Sequence, residues 1–96
     1  MGIEIRKGES IFYDFARTDS TALTADESAT WEIRNASNVV VYSGSVTKNG
    51  NTLELRITGA TTDGYTVGTY VLLVEFTNSD TGYADYIMDK SLKIIN

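Results

Sequence analysis

The 96-residue chain contains no cysteine, no histidine and no proline. Each absence removes a class of chemistry. Without cysteine there is no disulfide, no thiolate nucleophile, no iron–sulfur cluster and no cysteine-ligated zinc. Without histidine there is no Ser-His-Asp or Cys-His triad, no His-ligated haem and no histidine proton switch. Without proline, sheet edges must be protected by charge, bulges or a partner. Long apolar runs are also missing. Val71-Leu72-Leu73-Val74 is the longest fully apolar run, far too short to cross a bilayer as a helix. The opening Met1-Gly2-Ile3-Glu4-Ile5-Arg6 lacks the apolar segment of a secretory signal, so no signal peptide is expected.

What remains is a mildly acidic, aromatic-bearing chain. Eight basic and thirteen acidic residues give a net charge of −5. The basic residues are scattered, with only Arg6 and Lys7 adjacent. Phosphate-backbone binding needs clustered Lys and Arg, so nucleic acid is not an expected partner. Apolar residues make up 42 % of the chain, enough for one core, and the length suits one domain, residues 1–96.

The patterning is that of strands. In Thr52-Leu53-Glu54-Leu55-Arg56-Ile57-Thr58, Leu53, Leu55 and Ile57 alternate with Glu54 and Arg56. Such a period of two marks a strand with one side in the core. Seven runs of this kind fall at 3–6, 10–16, 29–34, 38–46, 52–58, 69–77 and 84–95, and no segment reads as a helix. In the sixth run Val71 and Leu73 are apolar on the side opposite Tyr70, Leu72 and Val74, which predicts cover on both faces. In the last run Tyr86, Met88, Leu92 and Ile94 share parity, with a bulge expected at Asp89-Lys90-Ser91. Turn clusters separate the runs: Lys7-Gly8-Glu9, Asn35-Ala36-Ser37-Asn38, Lys48-Asn49-Gly50-Asn51 and Asn78-Ser79-Asp80-Thr81-Gly82. Gly and Asn tolerate the positive φ of tight hairpins. Seven short strands at this spacing predict an all-β chain folded as an antiparallel sandwich or barrel.

The landmarks resemble those of immunoglobulin-like sandwiches. The only tryptophan, Trp31, lies on the third run, and Tyr70 opens the sixth after Val67-Gly68-Thr69. Immunoglobulin-type domains place a core tryptophan and a hydroxyl-anchored tyrosine at those positions. Two residues beyond Tyr70, where antibody domains carry a cysteine, stands Leu72. The resemblance thus implies an immunoglobulin-like domain of about seven strands without a disulfide, with Trp31, Tyr70 and Leu72 in its core.

Candidate chemistry is sparse. Asp85 and Asp89 lie too far apart along one strand for paired acid–base work. Asp26-Glu27 sits in a loop and Asp14 on an outward face. Asn78 to Gly82 is rich in oxygen but lacks the spacing of a Ca²⁺ loop. No catalytic residue, metal site or cofactor is expected. Tyr65, Tyr83 and Tyr86 fall near loops, where tyrosines either cap the core or serve as contact platforms for sugars or proteins.

Three stretches carry a further resemblance. They are Ile3-Glu4-Ile5-Arg6-Lys7-Gly8-Glu9; the aromatic strand and Thr/Asp-rich loop leading to Trp31-Glu32-Ile33-Arg34; and Val67-Gly68-Thr69-Tyr70-Val71-Leu72-Leu73-Val74-Glu75-Phe76, running on to Met88-Asp89-Lys90-Ser91-Leu92-Lys93-Ile94. Together they resemble small immunoglobulin-like domains in virion proteins of tailed bacteriophages. The resemblance implies a non-enzymatic structural component of a tail, baseplate or head, made in the bacterial cytoplasm and located in the virion. Its partners would be other virion proteins or itself, without membrane insertion. The alternative is a bacterial immunoglobulin-like domain that binds carbohydrate or a cell surface.

Overall fold

A computed structural model describes residues 2–17 and 22–96. The chain forms β1 (Ile3–Arg6), β2 (Ile11–Ala16), β3 (Glu27–Arg34), β4 (Val40–Ser45), β5 (Thr47–Asn49), β6 (Thr52–Ile57), α1 (Gly59–Thr62), β7 (Gly68–Asn78) and β8 (Tyr83–Ile95). Among the described residues two sheets result, with strand orders β1-β8-β7-β3-β4 and β2-β6-β5. The all-β, sandwich-like architecture expected from the alternation is present. The strands number eight among the described residues, and one pair, β1 with β8, is parallel, whereas an all-antiparallel sandwich was expected.

The core lies between the sheets. Leu53, Leu55 and Ile57 of β6 meet Ala29, Trp31 and Ile33 of β3, Tyr70, Leu72 and Val74 of β7, and Met88, Leu92 and Ile94 of β8. Trp31, Tyr70 and Leu72 are all buried. Trp31 faces Gly44 across the β3–β4 pair, and a Cβ on Gly44 would come within 2.7 Å of the indole nitrogen. A residue without a side chain is therefore needed there to admit the ring.

The outer face of the larger sheet is not covered in the way the sequence suggested. Val71 and Leu73 stay half-buried among the described residues. They are flanked on β3 by Arg34 and Glu32, which are paired at 2.6 Å and lie on the same face.

Connections fix how the sheets meet. β4 runs into β5 through Val46, a buried corner whose N–H donates to the Ala29 carbonyl, so the chain changes sheet without a loop. The β5–β6 hairpin turns at Gly50, with φ of +62°. The β7–β8 hairpin closes on Asn78, whose side-chain oxygen accepts from the N–H groups of Asp80 and Thr81. Its carbonyl accepts from Gly82 at 2.8 Å. Between β6 and β7 the single turn α1 carries buried Thr62, whose hydroxyl donates to the Glu9 carbonyl at 2.7 Å and ties this crossover to the β1–β2 turn. One helical turn has no apolar periodicity of its own, so the sequence did not announce it.

Candidate interaction surfaces

The expected tyrosine platform does not assemble. Tyr65 is 4 % exposed and belongs to the core, which corrects its assignment as a surface contact. Its ring stacks on Tyr42, centroids 3.8 Å apart and planes 16° apart, and Tyr70 lies 6.2 Å from Tyr42. The Tyr70 hydroxyl donates to the Thr66 carbonyl at 2.7 Å, and the Thr66 N–H donates to the Tyr42 hydroxyl at 3.1 Å. The Tyr65 hydroxyl is buried with no hydrogen-bond partner among the described residues. Burial, aided by the neighbouring Tyr42, pushes its pKa from 10.0 up to about 12. Burial likewise raises that of Tyr70.

Tyr83 and Tyr86 are about half exposed but face opposite ways. Tyr83 pairs with Asn78 and packs edge-on against Phe76, centroids 6.1 Å apart, on the core side. Tyr86 pairs with Glu75 on the outer face. The register shifts at this point, since Val74 pairs with Met88 but Glu75 with Tyr86, leaving Ile87 as the extra residue. The bulge therefore lies at Ile87, not at Asp89-Lys90-Ser91, and it sends Tyr86 away from the face that Met88, Leu92 and Ile94 share. A bulge depends on which residues pair across two strands, a property one strand's text does not contain.

At the Tyr83 end of the sandwich the sheets part around an open cleft of about 630 Å³. Phe15, Leu23, Leu53, Phe76, Tyr83 and Ile87 line it, with Arg17 and Asn51 as polar members. Arg17 is already engaged in an ion pair with the buried Glu27 carboxylate. Glu27 also accepts from the Thr24 N–H at 3.1 Å. That backbone hydrogen bond, with help from Arg17 and against the cost of burial, holds its pKa below the ordinary 4.5. Asp14 pairs with Arg56 at 2.6 Å. Among the described residues no three acidic, His or Cys side chains converge on a metal-sized point, and no helix is long and apolar enough to cross a membrane.

The sheet edges differ sharply. β1 has four residues including Glu4 and Arg6. β5 has three, including Lys48. β2 carries Asp14, and Arg56 sits over its exposed Phe12, 5.0 Å from the ring centre. Among the described edge strands β4 alone carries no charge, and Val39, Val40 and Val41 beside and within it are 55, 43 and 40 % exposed. No charged residue stands between Arg34 and Lys48, the longest such stretch in the chain. The signal was in the sequence as this neutral stretch, but only the strand order makes it an edge. No family model matches the chain, and no curated protein matches it.

Proposed function

We propose that the chain is an immunoglobulin-like, non-enzymatic assembly module of a tailed-phage particle, acting through protein–protein contacts in the tail, baseplate or head. Support for the immunoglobulin type comes from a five-stranded sheet with β1 parallel to β8, facing β2-β6-β5. It comes also from Trp31 at the centre of β3 and from a Tyr70 hydroxyl anchored to backbone four residues upstream. The virion role rests on the resemblance of the quoted stretches. The observation that carries an assembly role is the uncharged, proline-free edge of β4, because an open edge offers unpaired backbone groups to a neighbouring chain. Repetition in a particle lets a small patch suffice. The test is co-sedimentation of tagged protein with purified particles from an infected host. Incorporation at fixed stoichiometry is expected, and a protein absent from washed particles overturns the proposal.

One observation favours the alternative reading, carbohydrate binding: the open cleft lined by Phe15, Phe76 and Tyr83 together with polar Asn51. The expected outcome is that Tyr83→Ala abolishes glycan-array binding while Tyr86→Ala, on the other face, leaves it intact. Absence of binding across the array removes this alternative.

A further inference from the structure

We propose that β4 pairs antiparallel with β4 of a second copy of this chain, joining two five-stranded sheets across a twofold axis. This deepens the assembly role by naming a partner, and it rests on that role only for where the pairing is used. Twofold contacts are isologous, so the strand must tolerate its own image. Like charges set directly opposite one another destabilise a strand pair, and a chain of net charge −5 repels its copy over most of its surface. β4 is the one edge whose own residues carry no charge among those described. A partner of opposite charge would find nothing on it to read, whereas a second copy finds a matching neutral strand.

The local geometry fits. β4 pairs with β3 at Tyr42 to Ser45 in unbroken register, and its single irregularity lies at Val41, near one end. Tyr42 and Gly44 face the core opposite Ile33 and Trp31, leaving Ser43 and Ser45 on the outer face. Small hydroxyl-bearing side chains at those places put no bulk in the way of an approaching strand and can hydrogen-bond to one another. Val39 and Val40 supply apolar surface at the end of the contact. A strand of six residues buries less than the area of a standard stable interface, so the pair is a weak, concentration-dependent dimer that tightens when many copies are held together.

The test is sedimentation equilibrium of the full chain over a wide concentration series, with hydrogen exchange of the β4 amides at both extremes. Reversible dimerisation is expected, with β4 protection rising with concentration. Val40→Glu, at an exposed site opposite Arg34 of its own chain, raises the dissociation constant at least about tenfold, since a loss of ~1.4 kcal/mol corresponds to that factor. Phe12→Glu on the β2 edge, opposite Arg56, leaves it unchanged, and melting temperatures near the parent's are expected of both variants if they fold. A chain that stays monomeric at the highest concentration, or a dimer that survives Val40→Glu, overturns the pairing. A monomer that still co-sediments with particles overturns self-pairing and leaves the assembly role standing. A dimer absent from particles does the reverse.

Discussion

The two ends of this sandwich are built differently. At the Tyr70 end, the β6–β7 crossover closes over the core. Thr62 is tied to the β1–β2 turn, Tyr70 to the Thr66 backbone, and Tyr42 lies against Tyr65. At the Tyr83 end, the sheets part around the cleft, and Phe15, Leu23, Phe76 and Ile87 are only partly buried. β7 reaches both ends, with Tyr70 and Phe76 about 20 Å apart at strand rise. One strand thus runs from a sealed interior to an open mouth. The difference teaches where stability and adaptability reside: close packing penalises any loss of volume, whereas residues lining an opening lose less when trimmed.

Truncating one residue at each end tests this most strongly. Leu72→Ala, inside the sealed half, should cost ~2–5 kcal/mol. Phe76→Ala removes more atoms yet should cost less, about 1–2 kcal/mol, because its ring is already partly in contact with solvent. Denaturant unfolding measures both, and equal costs would erase the distinction between the ends. Next in size is Tyr70→Phe, which removes the bond to the Thr66 carbonyl and should cost ~1 kcal/mol.

A smaller effect separates the ends by pH. Tyr65 has a raised pKa, so its stabilising contribution is complete below 10.0 and is lost as pH rises towards about 12. Tyr65→Phe discards a buried hydroxyl without a partner, so it should be neutral or slightly stabilising at pH 7 and should flatten the decline above pH 10. A clear loss at pH 7 would mean that the hydroxyl is satisfied after all. At the open end the sign reverses. Glu27 has a lowered pKa, so its contribution is present above 4.5 and is lost as pH falls below that value. Glu27→Gln should therefore be less stable than the parent at pH 7, with the gap narrowing in acid. A constant gap across a pH series of thermal melts would show that the carboxylate charge does not matter.

Much of the fold was legible because core strands write their burial into alternation. Leu53, Leu55 and Ile57 are all buried, as are Trp31 and Ile33, and the turns at Gly50 and Gly82 use positive φ. What was not legible depended on partners distant in sequence. Tyr65 reads as a loop residue until Tyr42 arrives from β4 to cover it. The bulge at Ile87 exists only relative to Val74 and Glu75. β5 has three exposed residues and no pattern of its own. Tyr83 and Tyr86 are a different case: three residues apart in one strand, they fall on opposite sides of the sheet by pleating alone, which their spacing in the sequence already carries.

The parallel pairing of β1 with β8 has a mechanical consequence. Ile3 lies beside Leu92 and Arg6 beside Ile95, so the two strands run side by side in the same direction. Tension entering through β1 and leaving through β8 pulls them past each other lengthwise. Their hydrogen bonds are then loaded together in shear and cannot open one at a time like a zip. Pulling on these two strands should give a higher rupture force than pulling across the β7–β8 hairpin, whose rungs part in sequence. Loaded along this axis, the domain would resist stretching at β1 and β8, ahead of its hydrophobic centre.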